Sequence, residues 1–297
     1  MTSKSIESAE TTIGRQPSLT ESQAVRVTNP WPGVARAVID NPPFNLFTPT
    51  VFAGFRLLQQ YVDDPANDVR VVIIESANPD FFIAHVDFSE LAIIPDIPGA
   101  ANVVENWPKF AEWLSSTPAL TIAKLRGRAR GIGSELAISA DLRFASIENT
   151  LLCQIEVGFG LLPGGGGLEW LPRHVGRARA LEIILGAEDF DAKTAELYGW
   201  INRAIPDAEL DAYVDRLARR VASFNPVSIA KTKQMIDQRS PTPPIGDYAE
   251  SFGAILGLAN TERAREIARV ARGRADGNLA TREFDLPVVY DPDRWAE

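Results

Sequence analysis

The sequence predicts an α/β core followed by a helical C-terminal part. Two observations predict it: up to about residue 190, short apolar runs of strand length alternate with helical segments, and from Arg177 onward the apolar spacing is helical. This alternation is typical of strands joined by helical crossovers. We therefore expect a flexible tail over residues 1–22, an α/β core over 23–190, a helical part over 191–275 and a polar tail over 276–297.

The predicted elements of the core follow one another at short intervals. A β-type run at 34–39 ends at the breaker Asn41-Pro42-Pro43. The run VRVVIIE at 69–75 is nearly all apolar, as in a strand that is covered on both faces. The other core elements are a helix over 50–62, a strand over 120–125, a buried helix over 133–140 and a strand over 142–145.

The later part of the chain is predicted to be helical. Prolines 241, 243 and 244 interrupt it before its last helix. The predicted helices cover residues 178–185, 192–198, 209–223, 227–237 and 248–272.

Composition excludes several classes of protein. The chain has 297 residues, 45% hydrophobic and 23% charged, which is typical of a globular protein with a buried core. A net charge of −9 lacks the broad basic footprint of a nucleic-acid-binding protein. One cysteine excludes an internal disulfide, and with only two histidines it argues against a metal site. A polar N-terminus and the lack of a run of about 20 apolar residues predict a cytoplasmic protein without membrane contact.

Two glycine-rich segments do not complete common site motifs. Gly131 and Gly133 could begin a dinucleotide site, but Leu136 occupies the third glycine position. The glycines at 164–167 lack the Gly-Lys-Ser/Thr ending of a phosphate-binding loop. They predict either a turn where backbones pack closely or a main-chain path beside a ligand.

Two acidic residues are the best candidates for catalysis. Glu135 follows a glycine-rich turn and opens an apolar helix, and Glu156 lies between apolar stretches. Burial in such a setting raises the pKa of a carboxyl group. Two such acids can act as a general acid/base pair, or each can cap a helix or pair with an arginine.

Three segments resemble motifs of the crotonase (enoyl-CoA hydratase/isomerase) superfamily. Residues 82–91 (FIAHVDFSEL) are similar to F-x-A-G-A-D-[IL]-x-x-[LM], residues 127–137 (GRARGIGSELA) to G-x-A-x-G-G-G-x-x-L-A, and residues 154–167 (QIEVGFGLLPGGGG) to P-E-x-x-x-G-[IL]-x-P-x-x-G-G. Their order and spacing match the family from about residue 25 to 240. The resemblance implies the crotonase fold, in which repeated ββα turns form a spiral core that precedes a helical trimerisation part.

The resemblance also implies a reaction. The family binds acyl-CoA thioesters and stabilises an enolate-like oxyanion with two backbone N–H groups, which by position belong to Val86 and Ile132. Glu135 and Glu156 match both acids of the family's hydratases, which favours addition of water to the 2,3 double bond of an enoyl-CoA, or the reverse dehydration. Glu156 would exchange the α-carbon proton and Glu135 would activate water. Because the thioester is the electron sink, no cofactor is expected beyond the CoA of the substrate.

The match departs from the family pattern around the proposed oxyanion site. His85 and Val86 replace a glycine and an alanine, and Ile132 replaces a central glycine. The added bulk predicts a narrower acyl pocket, and His85 is either a packed side chain or an acid/base or substrate contact. By the resemblance, the substrate contacts are Ala84, His85, Asp87 and Gly131.

Alternative functions stay open within and outside catalysis. The same oxyanion site would serve an isomerase, a thioester hydrolase or a decarboxylase, and a third possibility is an acyl-CoA binder without activity. Lys231 and Lys233 are candidates for binding the CoA phosphates. Because family members usually form trimers or dimers of trimers, a homo-oligomer of that kind is expected, with a role in fatty acid metabolism.

Overall fold

The computed structural model describes residues 20–21, 24–87, 100–259, 261–262, 283–284 and 286. Nearly all of the predicted N-terminal tail lies outside these residues, and so do most of the predicted C-terminal tail and the end of the first motif at 88–91. The limits predicted for the two tails therefore stay predictions.

A large sheet forms the base of the fold. Its strands in the described residues are β1 (Thr20–Glu21), β2 (Val25–Trp31), β3 (Val34–Ile39), β4 (Val71–Ser76), β6 (Leu120–Leu125), β8 (Leu142–Ser146) and β11 (Arg203–Ile205). Their order is β1-β2-β3-β4-β6-β8-β11. The first two pairings are antiparallel, and every pairing from β3 to β11 is parallel.

A smaller sheet lies beside it. Its strands are β5 (Phe81–Ile83), β7 (Arg128–Arg130), β9 (Leu151–Cys153) and β10 (Phe190–Asp191). Their order is β10-β9-β7-β5, with β5, β7 and β9 parallel and β10 antiparallel to β9.

Helices cover the sheets and form most of the C-terminal part. They are α1 (Pro49–Asp63), α2 (Ala100–Ser116), α3 (Ile132–Ser139), α4 (Gly167–Val175), α5 (Arg177–Gly186), α6 (Ala192–Tyr198), α7 (Asp207–Ala222), α8 (Pro226–Asp237) and α9 (Ile245–Ala259). Short 3-10 helices occur at Pro65–Asn67 and Glu156–Phe159. None of the helices in the described part of the chain is long and apolar enough to cross a membrane.

The two sheets are connected by a repeated turn. In β4-β5-α2, β6-β7-α3 and β8-β9-α4, the first strand joins the large sheet, the second joins the small sheet and a helix follows. This repeat confirms the predicted spiral of ββα units.

Strand β4 shows why its sequence is apolar without alternation. Val71 and Ile73 lie in the cluster that packs against α7, whereas Val72 and Ile74 lie in the main core on the opposite face. Because successive side chains of a strand point to opposite faces, a strand covered on both faces needs apolar residues at every position.

The region predicted to be only helical also contains two short strands. Strand β11 extends the large sheet by pairing with β8, and β10 extends the small sheet. Strands of two or three residues are too short for an alternating pattern to predict them. The last predicted helix, 248–272, corresponds to α9, and its residues beyond 262 lie outside the described ranges.

Gly133 offers a test of the contact between α3 and β5. A Cβ atom at Gly133 would lie 2.5 Å from the carbonyl oxygen of Ile83. Because that neighbour is backbone, Gly133→Ala is expected to lower the free energy of unfolding by roughly 1–3 kcal/mol.

A helical glycine in open space provides the control. No heavy atom of the described residues lies within 4 Å of a Cβ atom built at Gly253 in α9. Gly253→Ala should therefore leave the free energy of unfolding unchanged or raise it by up to about 1 kcal/mol. Urea unfolding of both variants makes the comparison. Equal stability of the two variants would contradict the close packing of α3 on β5.

Candidate active site

A glycine turn places the first acid. Gly131 connects β7 to α3 with a φ angle of 51°, a backbone conformation that residues other than glycine rarely adopt. A Cβ atom there would also lie 2.9 Å from Oε1 of Glu156. The turn therefore needs glycine for its backbone and for the acid that lies against it.

The glycine run at 164–167 encloses the side chain of Glu135. The N–H groups of Gly165 and Gly167 donate to Oε1 of Glu135 at 2.8 and 3.0 Å. A Cβ atom at Gly165 would lie only 2.5 Å from Oε2 of the same carboxyl group. The glycines thus bring the main chain close to buried side chains rather than to another backbone, and a path beside a ligand stays a prediction.

Glu135 is buried, with 2% of its surface exposed. Burial raises its pKa to about 7, the two amide hydrogen bonds oppose that rise, and the charge of Glu169 adds to it. The carboxyl group can therefore accept or release a proton near neutral pH.

Glu156 is buried in a different way. It begins the 3-10 helix after β9, and among the described residues its Oε2 has no hydrogen-bond partner. Burial, followed by the charge of Glu135, raises the pKa of Glu156 well above its ordinary value. Burial therefore favours the neutral, proton-donating form of Glu156.

The two acids meet across the first turn of α3. Glu156 reaches Gly131 at the start of the helix, and Glu135 lies one turn further on, against Gly165. The charge of Glu135 acts on Glu156, so the two carboxyl groups titrate as a pair. The structure thus brings together the two acids that the sequence selected.

The two predicted main-chain donors have no hydrogen-bond acceptor among the described residues. Ile132 is the first residue of α3, so its N–H has no acceptor within the helix, and none occurs elsewhere in the described chain. The N–H of Phe47 donates to the carbonyl of His85 at 2.8 Å. Because a trans peptide directs its N–H and C=O oppositely, Val86 N–H points away from Phe47, and no described residue accepts from it.

A buried tryptophan, which the sequence did not predict, lies beside the acids. The indole N–H of Trp107, on α2, donates to the carbonyl of Gly165 at 2.9 Å. Its ring meets that of Phe47 edge to face, with centroids 5.1 Å apart, and Ile132 also reaches Gly165. No motif marks Trp107, because its position depends on a contact between distant parts of the chain.

Another buried acid was also missed. Glu169 on α4 is bonded to the hydroxyl of Ser251 on α9, and its other carboxyl oxygen has no partner in the described residues. Burial raises the pKa of Glu169, and its charge acts on Glu135. The sequence gave no reason to select Glu169, because this residue does not occupy an acid position of the family motifs.

The other predicted substrate contacts have mixed surroundings. His85 is buried and engages protein atoms through both ring nitrogens: Nδ1 lies 2.6 Å from the carbonyl of Val86 and Nε2 lies 2.9 Å from Oε2 of Glu283. The Ala84 side chain packs in an apolar cluster with Phe44, and Asp87 is partly exposed. Their contacts with substrate stay predictions.

The two candidate lysines for CoA phosphates differ. Lys233 donates to Asp141 at 2.6 Å and to the carbonyl of Ala119 at 3.0 Å, so it attaches α8 to the start of β6. Lys231 is exposed, and its one side-chain hydrogen bond among the described residues is to Gln234 of its own helix. Lys231 is thus the better placed of the two for a ligand.

Comparison with known proteins identifies the family. Residues 32–246 match the sequence model of the enoyl-CoA hydratase/isomerase family. The chain therefore belongs to the enoyl-CoA hydratase/isomerase family. A crystal structure of a Streptomyces avermitilis protein assigned to the enoyl-CoA hydratases superposes with a TM-score of 0.84 at 37% identity, covering 92% of this chain and 98% of that one.

Two curated relatives are each about one third identical to this chain in the aligned region. The probable enoyl-CoA hydratase of Bacillus subtilis is 30% identical over 204 residues, which are 68% of this chain and 78% of the relative. The short-chain-enoyl-CoA hydratase of Clostridium acetobutylicum is 33% identical over 173 residues, 58% of this chain. The match spans just under two thirds, 65%, of that relative's length.

The raised pKa of Glu135 predicts a pH dependence of stability. A carboxyl group whose pKa is higher in the folded state binds its proton more tightly there, so stability falls as pH rises from about 4.5 to about 7. Glu135 alone would contribute a fall of roughly 3 kcal/mol. Urea unfolding from about pH 5 to about pH 8 should show a smaller fall in Glu135→Gln than in wild type. The same pH profile in both proteins would contradict the burial of an ionisable Glu135.

Proposed function

We propose that the protein adds water across the 2,3 double bond of an enoyl-CoA thioester, or catalyses the reverse dehydration. The observation that carries this proposal is the coupled pair of buried acids, Glu135 and Glu156, at the first turn of α3. Reactions that move a single proton need one acid, whereas addition of water needs a base for the water and an acid for the α-carbon.

The electrostatics of the two acids support separate roles. Glu135, whose pKa is raised to about 7, accepts a proton from water as the water oxygen bonds to C3 of the substrate. Glu156, whose raised pKa favours its protonated form, gives its proton to C2. The product therefore carries a hydroxyl group at C3 and a new hydrogen at C2. At the end of the reaction Glu135 has gained a proton and Glu156 has lost one. Exchange with solvent restores the pair.

Main-chain N–H groups would stabilise the negative charge that develops on the thioester oxygen during the reaction. As water adds to C3, electron density moves to the thioester oxygen, where the N–H groups of Val86 and Ile132 would donate to it. Both donors lack other partners among the described residues. The thioester accepts the electrons in this scheme, so the proposal needs neither metal nor redox cofactor.

The residues beside the acids favour a short acyl group. Trp107 and Ile132 both reach Gly165, next to Oε2 of Glu135, and Phe47 packs on the Trp107 ring. Val86, on the bridge to Phe47, adds a branched side chain to the same region. Large side chains around the reacting carbons leave little width for a long or branched chain, which agrees with the short-chain name of one relative.

We also retain the expected oligomer, a trimer or a dimer of trimers, as a proposal. Helix α8 has no buried residue in the isolated chain, and Val227 and Ile236 are 73% and 58% exposed. A helix that buries none of its residues but exposes large apolar side chains is consistent with an element that packs against another subunit. Light scattering should give three or six copies in wild type and fewer in Val227→Glu/Ile236→Glu. A monomeric wild-type protein would contradict this assembly.

Substitution of each acid tests the proposed reaction. Glu135→Gln and Glu156→Gln should each lower hydration of a short enoyl-CoA by about 10²- to 10⁴-fold, because each removes one proton transfer. The measurement is loss of enoyl absorbance across a panel of short, long and branched enoyl-CoAs. Glu169→Gln is the matched control, since it removes a buried acid near Glu135 and should keep activity within about tenfold.

The same panel separates the alternatives. Release of free CoA would indicate a hydrolase, a shifted double bond an isomerase, and loss of carbon dioxide from a carboxylated acyl-CoA a decarboxylase. Tight binding of acyl-CoA without product would indicate a binding protein. Turnover that persists in both Gln variants would rule out the paired-acid mechanism.

A further inference from the structure

A buried pair joins the C-terminal part of the chain to the proposed oxyanion loop. Nε2 of His85 lies 2.9 Å from Oε2 of Glu283, and both side chains are almost fully buried. Nδ1 of the same ring lies 2.6 Å from the carbonyl oxygen of Val86. His85 therefore connects Glu283 to the main chain of the residue whose N–H is a proposed oxyanion donor.

The bonding partners fix where the protons lie. A carbonyl oxygen can only accept, so Nδ1 of His85 carries a hydrogen and donates to Val86. The contact between Nε2 and Glu283 then needs one more proton, carried either by the ring or by the carboxyl group. In both forms the ring is held at two points, by the carbonyl of Val86 and by the carboxyl group of Glu283.

Other contacts hold Glu283 in place. The Arg130 guanidinium of β7, itself paired with Asp189, donates to the carbonyl of Glu283 at 2.6 Å and to that of Phe284 at 3.1 Å. Leu286, 2% exposed, packs in a cluster with Ile155, next to Glu156. The residues 283–284 and 286, here called the C-terminal segment, are thus attached to the core on both sides of the pair.

Phe47 and His85 together constrain both peptide groups of Val86. Phe47 accepts from Asp87 N–H at 3.0 Å and donates to the His85 carbonyl, which fixes one side of the loop. The carbonyl of Val86 takes part in neither of these hydrogen bonds, and it accepts instead from Nδ1 of the His85 ring. Without Glu283 the ring would lose its contact at Nε2, which would weaken one restraint on the Val86 main chain.

We infer that Glu283 is a positioning residue for this enzyme: through His85 it orients the main chain of Val86 in the proposed oxyanion site. The inference rests on the proposed function, because it assigns Val86 N–H to the oxyanion. The donor is needed most when charge develops on the thioester oxygen, so its displacement should affect kcat more than KM.

Steady-state kinetics of pair variants test the inference. Glu283→Ala and His85→Ala should each lower kcat for a short enoyl-CoA by about 10- to 100-fold, with KM changed less than about threefold. In the double variant kcat should fall no further than in the single variants, because each substitution breaks the same link. Glu283→Gln should retain most of the activity, since an amide N–H can donate to a neutral Nε2.

Leu286→Ala is the matched control within the same C-terminal segment. It removes a buried apolar contact without touching His85, so it should lower thermal stability while kcat stays close to that of wild type. Additive effects of His85→Ala and Glu283→Ala, or a rise in KM with kcat unchanged, would overturn the inference. Either result is expected if the C-terminal segment only covers the site and does not position Val86.

Hydrogen exchange separates this inference from the proposed function. In Glu283→Ala, but not in Leu286→Ala, the amides of residues 84–87 should exchange faster, whether or not the wild-type protein turns over any enoyl-CoA. If wild type has no hydratase activity and exchange still rises, the proposed function fails and the positioning contact stands. Unchanged exchange in Glu283→Ala would overturn the positioning role even in an active hydratase.

Discussion

The burial of the Glu135 carboxyl group against the amides of Gly165 and Gly167 is the constraint on which the site depends. A carboxyl group removed from water needs hydrogen-bond donors, and two backbone N–H groups supply them at 2.8 and 3.0 Å. The chain can come this close only because residue 165 has no Cβ atom. The acid and the glycine run therefore require each other, although they lie on different turns of the spiral.

The same burial sets the chemistry of the acids. Removal from water raises the pKa of Glu135, Glu156 and Glu169 alike, but their hydrogen bonds differ. Two amides oppose the rise in the pKa of Glu135, whereas Oε2 of Glu156 has no hydrogen-bond partner in the described residues. The proposed roles of Glu135 as a base and of Glu156 as an acid thus rest on the different surroundings of two identical side chains.

Local pattern predicted those features whose cause is local. The strand over residues 120–125 and the helix over 192–198 have the predicted limits, because apolar spacing and short connections determine them. Glu135 and Glu156 could be selected because glycines and apolar residues surround them in the sequence. The identity of the fold came from the resemblance of ordered motifs, since spacing alone predicts only an α/β core.

Features that depend on distant contacts could not be predicted in this way. Trp107 reaches Gly165 and Glu283 reaches His85 only after the spiral has formed, and neither residue lies in a motif. Strand β11 has three residues, one of them exposed, and its pairing with β8 alone makes it a strand. In each case the determining partner is more than 50 residues away in the chain.

The departures from the family motifs fall where the fold tolerates them. His85, Val86 and Ile132 change side chains, whereas the proposed oxyanion donors are N–H groups that every residue except proline provides. Both acids and the motif glycines Gly131 and Gly133, where a Cβ atom would collide, are retained. Changes that keep the main-chain donors and the acids but enlarge the surrounding side chains would alter which acyl group fits the proposed site, while the proposed means of stabilising an enolate would stay the same. The substitution that brings in His85 goes further, because it gives the loop a side chain through which a distant residue, Glu283, can act on it.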